Sequence, residues 1–587
     1  MQIIPALLEA RLRAAVTETC EVPLCVTPAS DTRFGDYQTN AAMLLAKSRR
    51  ANPRAVAQEI LSQLQTDDIC STVEIAGAGF LNFTMRPDWI QERVEQLRND
   101  STFGVPRPAT PRCIVIDFSS PNVAKPMHVG HIRSTILGDS LARVATFIGH
   151  HVIRDNHIGD WGTQFGMLLH GWKTILDTAA LDHDPLAEME RIYKNVSARC
   201  KEDTAVLDAA KSELVRLQAG DTENLALWHE MIRLSQSQFD SIYGRLGIKF
   251  DFTFGESFYN ERLKPVVEEL RSKGIARESD GAVCVFSDGQ LPQEQDPFLI
   301  KDKDGWRDNP ALVLKSDGAA NYTTTDLATL QYRIETWRPD EIVYVTDGRQ
   351  QLHFRQFFAI FKRWQPDAAE HVKCSHVWFG SILGDDGKPF KTRSGETIRL
   401  ADLLDEAEER SFAQVSERNP TLSEDERREI ARIIGIGAVK YADLLPHRQG
   451  DYVFSWERML SFQGNTAPYL QNAYVRIRSI FRKLTEAGAV WDQAQPISLE
   501  QPAELALGKR LLQFGEVLPL VLVDHRPNTL ANYLYELANT FHAFYEACPV
   551  LKSEGSLRAS RLALCELSAR LLKTGLQLLG IEVPERM

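Results

Sequence analysis

One segment of the chain constrains the fold more than any other, because it joins an apolar run, a polar turn, a helical pattern and a second apolar run. CIVIDF (113–118) predicts a buried strand, residues from about 131–149 predict a helix, and HVIRDNHI (151–158) predicts a second strand. Such a β-α-β unit places two parallel strands in one sheet with the helix packed over it. DEIVYVTDG (340–348) and HVWFGSIL (376–383) continue the alternation. The middle of the chain is therefore predicted to be α/β, with a parallel sheet.

Prolines and changes of pattern indicate the domain boundaries. GVPRPATPR (104–112) carries three prolines, which disfavour both a helix and a central strand, so it is interpreted as a linker. Before it lies a compact segment that ends in the strand-like AGAGFLNFTM (76–85). The stretch near 171–247 is helical and charged like an insertion, and leucines recur at helical spacing after Phe462. We therefore predict an α+β N-terminal domain, a parallel-sheet domain and an all-helical C-terminal domain, with bounds 1–108, 109–460 and 461–587.

Composition and charge argue against several classes of protein. A length of 587 residues suggests about three domains. The net charge of −12 argues against a general nucleic-acid binder, although it leaves room for a local basic site. The nine cysteines form no CxxC pair, and no apolar run reaches the roughly 20 residues that span a bilayer. The N-terminal MQIIPALLEARLRAAV carries charges and predicts an amphipathic helix rather than a signal peptide. A reduced, cytoplasmic protein with no membrane segment is expected.

The polar turn after the first apolar run indicates a site for an anion. In DFSSPNVAKPMHVGHIRS (117–134), His128 and His131 lie three residues apart, with Gly130 between them and Lys125 just upstream. At a strand-to-helix turn of a parallel sheet, backbone N–H groups and the helix dipole converge and favour phosphate. The glycine lets a ligand approach the backbone, the imidazoles can donate hydrogen bonds, and the lysine adds a positive charge.

Other interpretations of these residues stay open at this point. A His-x-x-His pair also occurs in metal sites, although no carboxylate or cysteine stands nearby at a recognisable ligand spacing. The two histidines could equally be ordinary surface residues. The chain has no GxxxxGKS or GxxxxGKT sequence, which argues against P-loop phosphate chemistry.

Several motifs, taken together, resemble one enzyme family. SSPNVAKPMHVGHIRSTILGD (119–139) resembles the signature of class I arginyl-tRNA synthetases, with HVGH in place of HIGH. The other similar segments are DTRFGDYQTNAAMLLAK, GAGFLNF, RDNHIGDWGTQFGML, FGESFY, NYTTTDLA and FQGNTAPYLQNAYVRIRS. The HIGH-like motif comprises Pro121, Asn122, Val123, Ala124, Lys125, Pro126, Met127, His128, Val129, Gly130 and His131. Two rivals are a smaller HxGH nucleotidyltransferase, which would not explain the flanking motifs, and a catalytically dead tRNA-binding paralogue, which would be free to lose the site residues present here.

The resemblance implies a fold, a reaction and a set of partners. It implies a Rossmann-type catalytic domain, an N-terminal domain that contacts the tRNA elbow, and a helical C-terminal domain on the anticodon side. ATP and L-arginine would form arginyl-adenylate and pyrophosphate, and the arginyl group would then pass to the terminal adenosine of tRNA(Arg). Mg²⁺ would accompany ATP as substrate, with no protein-bound metal or organic cofactor. The enzyme would be a monomer.

The resemblance also implies roles for individual residues. The catalytic residues implied by the resemblance are His128 and His131, with Arg393 as a cation at a KMSKS lysine position. Lys125, in the turn before HVGH, is expected as a further catalytic residue that does part of the work of a KMSKS lysine. The residues implied to bind ATP are Gly130, Ile382, Leu383 and Lys391. The residues implied to bind arginine are Asp117, Ser120 and Asn122 at its backbone end, and Tyr322, Asp326 and Gln350 around its side chain. A guanidinium is a planar fork of donors best matched by a carboxylate, which supports Asp326.

The sequence departs from the family pattern at two places. KMSKS, the second family signature, is replaced by FKTRS (390–394), so Phe390 and Arg393 stand at its lysine positions. Without the resemblance, GDDGKPFKTRSGE is interpreted as a solvated hairpin loop. Tyr474 stands in QNAYVR where histidine is common in the family. The cations that could face tRNA from the C-terminal domain, on helices where charges usually face water, are Arg558, Arg561, Arg570 and Lys573.

Overall fold

The computed structural model describes residues 2–16, 22–390 and 397–587. The chain forms two compact units. The terminal unit comprises Met1–Ala109 and Ser461–Met587, and the central unit comprises Thr110–Leu460. The predicted N-terminal and C-terminal domains therefore both fall in the terminal unit.

The N-terminal part of the terminal unit is an antiparallel sheet with helices. Its strands, in the sheet order β1-β2-β4-β3, are β1 (Thr27–Pro28), β2 (Tyr37–Thr39), β3 (Cys70–Ala76) and β4 (Phe80–Met85). Its helices are α1 (Ile4–Ala15), α2 (Ala41–Arg49), α3 (Pro53–Gln63) and α4 (Pro87–Arg98). AGAGFLNFTM is a hairpin rather than one strand, because Gly77 and Gly79 turn the chain at positive φ between β3 and β4.

The C-terminal part of the terminal unit is helical, as predicted. Its helices are α18 (Ala467–Glu486), α19 (Pro502–Leu512), α20 (Phe514–Val523), α21 (Pro527–Ala547) and α22 (Gly555–Leu578). The leucine spacing places Leu564, Leu567 and Leu571 of α22 in the core. Arg561 is also buried, and its Nε donates to Glu504 Oε1 at 2.7 Å. The expectation that Arg561 lines a tRNA-facing surface is therefore wrong, since this guanidinium is fixed inside the helices.

The core of the central unit is a parallel sheet, and the α/β prediction is confirmed. Its strands, in the sheet order β14-β13-β5-β6-β7, are β5 (Cys113–Asp117), β6 (His151–Ile158), β7 (Phe252–Gly255), β13 (Glu341–Tyr344) and β14 (Lys373–His376). Every neighbouring pair of these strands is parallel. The predicted run HVWFGSIL contributes only the last residue of β14 and a separate short strand, β15 (Ile382–Leu383), which pairs with β16 (Tyr452–Val453).

Helices pack on this sheet and extend from it. Those that cross over the sheet are α5 (Val129–Ile148), α11 (Asn260–Ser272), α12 (Tyr322–Trp337), α13 (Gln351–Trp364) and α14 (Pro366–His371). The helix α5 lies close to β5 because Gly138 faces Phe118; a Cβ on residue 138 would lie 2.2 Å from Phe118 Cγ. This approach packs the middle of α5 against the residue that follows β5.

The remaining elements of the central unit surround this core. The predicted helical insertion consists of α6 (Gln164–Ile175), α7 (Thr178–His183), α8 (Pro185–Glu202), α9 (Thr204–Gln218) and α10 (Thr222–Leu246). Short antiparallel strands are β8 (Ala276–Ser279), β9 (Ala282–Val285), β10 (Leu299–Asp302), β11 (Gly305–Asp308) and β12 (Ala311–Leu314). The last helices are α15 (Leu400–Arg418), α16 (Glu424–Leu444) and α17 (Trp456–Met459). In the part of the chain that the structure describes, no helix is long and apolar enough to cross a membrane.

Candidate active site

The order of the parallel sheet creates a crevice at the carboxyl ends of β5 and β13. From β5 the chain moves outward to β6 and β7, and it then returns to form β13 and β14 on the other side of β5. Ligands of open α/β sheets bind where the strand order reverses in this way. The turn with the two histidines follows β5, and the segment 347–350 follows β13. The sheet therefore brings these two segments to one crevice.

The turn after β5 has a strained backbone. Ser119, Ser120 and Ala124 have φ angles of 75°, 49° and 61°, in the left-handed region that non-glycine residues rarely adopt. The Ser119 N–H donates to Ser134 Oγ at 2.9 Å, and the Ser120 N–H donates to Asn156 Oδ1 at 3.1 Å. These contacts from α5 and β6 hold the turn in a shape that the local sequence alone would not favour.

His128 and His131 are a pair of neutral hydrogen-bond donors. His128 Nδ1 accepts from the Gly130 N–H at 3.0 Å, and His131 Nδ1 accepts from the His128 N–H at 3.1 Å. A ring nitrogen that accepts a hydrogen bond carries no proton, so each neutral imidazole bears its proton on Nε2. Burial lowers the pKa of His128, and the positive charge of Arg349 lowers it further. Burial and the neighbouring His128 lower the pKa of His131 to about 3. Both rings are therefore uncharged near neutral pH and offer an Nε2–H.

The backbone at the start of α5 is already hydrogen-bonded within the protein. Besides the two bonds to imidazole nitrogens, the Val129 N–H donates to Ile398 O at 3.0 Å and the His131 N–H donates to His128 O at 2.8 Å. The absence of a side chain at Gly130 leaves room for the His128 ring, because a Cβ there would lie 2.8 Å from His128 Cε1. A ligand at this helix start would therefore meet the imidazoles first, rather than the free N–H groups that the sequence suggested.

The cations expected near the phosphates are only partly within the described residues. Lys125 is exposed, and its Nζ lies 5.2 Å from the centre of the Tyr193 ring on α8. Lys391 and Arg393 lie outside the described residues. Arg349, which sequence reasoning missed, is held by Asp347 at 2.8 Å and is close enough to lower the pKa of His128.

Phe390, the first residue of FKTRS, is hydrogen-bonded to the strand β15. Ile382 O accepts from the Phe390 N–H at 3.0 Å, and Leu383 O accepts from the Phe454 N–H at 2.9 Å. The Phe390 ring stacks on Phe454 with 4.4 Å between ring centres. Phe390, at a lysine position of KMSKS, is therefore an apolar anchor. The carbonyls of Ile382 and Leu383, two residues expected to bind ATP, already accept one hydrogen bond each.

Asp117 belongs to a buried charge cluster at the end of β5. Arg333 of α12 is fully buried, and its Nη2 lies 2.7 Å from both Asp117 Oδ2 and Asp155 Oδ2. Ser120 Oγ donates to Asp117 Oδ1 at 3.1 Å. Two carboxylates around one guanidinium leave an excess negative charge when both are ionised, which suits an ammonium ligand. Sequence reasoning missed Arg333 and Asp155; the available signal was a charged residue inside the strand HVIRDNHI.

Asp326 lies near the start of α12, where its charge interacts with that of a second carboxylate, Glu256. His353 Nε2 donates to Asp326 Oδ2 at 2.5 Å, and the exposed Tyr322 packs edge-on against the His353 ring at 4.7 Å between ring centres. Burial raises the pKa of Glu256 to about 7, and the negative charges of Asp326 and Asp160 contribute to the rise. Two carboxylates that sense each other in this way match the fork of a guanidinium. Sequence reasoning missed Glu256, although FGESFY was recognised as a family motif.

The last two residues expected to bind arginine lie at the surface. The backbone of Asn122 pairs with Gly159, and a Cβ on residue 159 would lie 2.3 Å from Asn122 Oδ1, so only glycine permits this approach. Gln350 is exposed at the end of the short 3₁₀ helix Gly348–Gln350, after β13. Within the described ranges, no three His, Cys, Asp or Glu side chains are grouped as metal ligands would be.

Three family models match consecutive parts of the chain. The arginyl tRNA synthetase N terminal domain matches residues 2–85, the catalytic domain of class I (R) tRNA synthetases matches residues 94–456, and the DALR anticodon binding domain matches residues 470–587. The three matches follow the order of the parts seen in the structure.

Relatives are similar over the whole length. The chain is 46% identical over 563 residues to the arginine–tRNA ligase of Laribacter hongkongensis, with 95% of each chain covered. It is 45% identical over 590 residues to that of Chromobacterium violaceum, with 100% of this chain and 99% of the relative covered. Solved arginyl-tRNA synthetases of Plasmodium falciparum and Thermus thermophilus each give a TM-score of 0.83 over 100% of both chains, at 29% and 26% identity. Agreement in sequence and fold across the full length means that the chain belongs to the class I arginyl-tRNA synthetases, the family of arginine–tRNA ligases.

Proposed function

We propose that this arginine–tRNA ligase activates L-arginine with ATP at the crevice between β5 and β13, forming arginyl-adenylate. The observation that carries the proposal is the pair of neutral histidines at the start of α5. The arginine carboxylate attacks the α-phosphorus of ATP and pyrophosphate leaves, so negative charge redistributes over the phosphoryl oxygens. Positioned donors and cations are what this step needs. His128 and His131 supply donors through Nε2–H.

Charge on the triphosphate has to be balanced as well. Mg²⁺ is proposed to enter bound to ATP, with phosphate oxygens as its main ligands, as is usual for this ion. From the protein, Lys125 is proposed as one cation, with Lys391 and Arg393 contributing from outside the described residues. Gly130, Ile382 and Leu383 are proposed to lie along the nucleotide.

Arginine would be bound at both of its ends. Asp326 and Glu256 are proposed to take the guanidinium, since two neighbouring carboxylates suit its two rows of donors. A neutral side chain would leave these charges unpaired and would be rejected. The other residues proposed to complete the arginine site are Tyr322 and Gln350 beside the side chain, and Asp117, Ser120 and Asn122 at the backbone end.

The arginyl group is then proposed to pass to the terminal adenosine of tRNA(Arg), with release of AMP. The match of residues 470–587 to an anticodon binding domain supports contact of the helical part of the terminal unit with the anticodon side. The N-terminal part is proposed to contact the tRNA elbow, and the enzyme is proposed to be a cytoplasmic monomer with domains 1–108, 109–460 and 461–587.

Charging of total tRNA, with each amino acid offered in turn, tests the proposal. We expect charging with arginine alone, dependent on ATP. His128→Asn should reduce charging strongly, because asparagine can still cap α5 but lacks an Nε2–H. His229→Asn, an exposed position on α10, is the matched control and should behave like the wild type. Charging with another amino acid, or a fully active His128→Asn variant, would contradict the proposal.

A further inference from the structure

The chain that follows the FKTRS segment runs antiparallel to the histidine turn. We name residues 397–400 the return arm. Its hydrogen bonds to the turn are Val129 N–H to Ile398 O at 3.0 Å and Leu400 N–H to Met127 O at 2.9 Å. Between them, Arg399 and His128 face each other as a β-bridge pair. The return arm therefore holds the backbone on both sides of His128.

The backbone of His128 in turn holds both imidazoles. Its N–H donates to His131 Nδ1, and its own Nδ1 accepts from the Gly130 N–H, so the two rings are fixed through one residue. The ring centres lie 4.0 Å apart. A shift of the return arm would therefore move both Nε2–H groups together. Because donors act only when they point at the developing charge, a small shift of this kind weakens catalysis.

The insertion anchors the return arm through its charged side chain. Arg399 Nη1 lies 2.9 Å from Asp184 Oδ2, and Arg399 Nη2 lies 3.9 Å from Glu190 Oε2. Asp184 is the N-cap of α8, where its Oδ1 accepts from the Ala187 N–H at 3.0 Å. The Asp184 carboxylate thus caps α8 with Oδ1 and binds Arg399 of the return arm with Oδ2.

Two features distinguish this ion pair from an ordinary surface pair. Surface pairs within one helix, such as Arg410 with Glu406 on α15, join residues that the helix already holds together. Arg399 and Asp184 instead join segments 215 residues apart in the sequence. Their side chains are 37% and 33% exposed, so water screens the pair less than it screens a fully exposed one.

We propose that the Arg399–Asp184 ion pair is a positioning device through which the helical insertion fixes the return arm, and with it the two histidines, for the ATP step. Neither residue is assigned a contact with substrate. The inference rests on the proposed function, because it concerns the step in which the histidines meet the α-phosphoryl group. Glu190, which also pairs with Lys194 at 2.8 Å, contributes a weaker second contact to Arg399.

The experiment compares Arg399→Gln, Arg399→Lys, Asp184→Asn and the double variant Asp184→Asn/Arg399→Gln. Asp184→Asn keeps an oxygen for the α8 cap while it removes the charge. Arg410→Gln is the matched control, since it removes an arginine ion pair from α15 without touching the return arm. Initial rates of tRNA charging are measured with ATP varied at saturating arginine and tRNA, and then with arginine varied. Thermal unfolding reports whether each variant is folded.

We expect Arg399→Gln and Asp184→Asn each to lower kcat/KM for ATP by about two- to fivefold, the range that a partly exposed ion pair allows. The arginine KM should stay within about twofold of wild type, because the guanidinium pocket is untouched. Arg399→Lys should recover part of the loss. The double variant should be no less active than either single variant, since the two substitutions remove the same ion pair.

Three outcomes would overturn the inference while the wild type still charges tRNA with arginine. The first is an Arg399→Gln variant that behaves like Arg410→Gln. The second is a double variant whose losses multiply, which would mean that the two residues act separately. The third is an equal fall for ATP and arginine together with a lower unfolding temperature, which would indicate a purely structural role. A folded wild type that charges no tRNA would overturn the proposed function, and this inference with it.

Discussion

Arginine binding should depend on pH near neutrality because of one half-buried carboxyl group, that of Glu256. Burial raises the pKa of Glu256 to about 7, and the charges of Asp326 and Asp160 contribute. A guanidinium pairs with the ionised carboxylate and gains little from the protonated form. At lower pH a proton must therefore leave Glu256 before arginine can bind well, so the sign is clear: the arginine KM rises as the pH falls through about 7.

The size of the effect follows from the fraction of enzyme that is ionised. With a pKa of about 7, roughly nine in ten molecules carry the charge at pH 8 and roughly one in ten at pH 6. The arginine KM should therefore be about tenfold higher at pH 6 than at pH 8. His131 does not add to this change, because burial and the neighbouring His128 lower its pKa to about 3, well below this pH range.

Glu256→Gln provides the decisive comparison. Glutamine keeps the shape of the side chain but cannot titrate. This variant should therefore have a raised arginine KM at pH 8, and its arginine KM should change little between pH 6 and pH 8. Glu516→Gln is the matched control: burial raises the pKa of Glu516 to about 7 as well, but this residue lies in the terminal unit. The control should keep the wild-type profile.

The assay is tRNA charging at pH 6, 7 and 8 with ATP and tRNA saturating and arginine varied. Calorimetry of arginine binding in two buffers of different ionisation enthalpy gives the number of protons released, which should be close to one at pH 6 and much smaller at pH 8. A wild-type arginine KM that changes less than about twofold between pH 6 and 8, against the tenfold expected, would refute the reasoning. So would a Glu256→Gln variant that keeps the full pH dependence.

Three further variants test the other groups of the site. Asp326→Asn keeps the shape and removes the charge, so it should cost about 3–5 kcal/mol in arginine kcat/KM with little change for ATP; activity within about threefold of wild type would mean that the guanidinium is bound elsewhere. Lys125→Met should lower the single-turnover activation rate by about 10²–10³ with the arginine KM nearly unchanged, and a normal rate would exclude the proposed role. Arg333→Met should lower the free energy of unfolding by about 3–5 kcal/mol, because it leaves two buried carboxylates unpaired; a urea unfolding curve like that of the wild type would contradict this.

Local elements were predictable from the sequence because their patterns are local. HVIRDNHI is β6 over His151–Ile158, and the predicted helix at about 131–149 is α5 at Val129–Ile148. Each of these runs carries its own signal in the spacing of apolar residues. The position of the histidine turn, between β5 and α5, follows from the same pattern.

Pairings between distant segments were not predictable in this way. Asp117 and Arg333 are 216 residues apart in the sequence, and Arg561 and Glu504 are 57 apart. In the sequence, a charged residue on a helix looks solvated, because nothing local reveals a partner on another element. Once the partner is in place, burial of the charge becomes tolerable, as it is for Arg561. Glu256 escaped notice for the same reason, since the carboxylates that raise its pKa lie on other segments.

The start of α5 illustrates how the structure changes the meaning of a sequence signal. The sequence indicated a phosphate site built on free backbone N–H groups, but two of these groups donate to the Nδ1 atoms of His128 and His131. Each imidazole therefore receives a hydrogen bond from the backbone on one nitrogen and offers a proton on the other. Because Nδ1 accepts a hydrogen bond from the backbone, the ring proton is on Nε2. The Nε2–H group can therefore donate to a ligand that lies farther from the helix than a backbone N–H group reaches. Because the rings stay neutral, their attraction for an oxygen grows with the charge on that oxygen, which favours the transition state over bound ATP. Replacing His128 by asparagine keeps the cap and removes the outward donor, so this variant separates the two roles that one side chain combines.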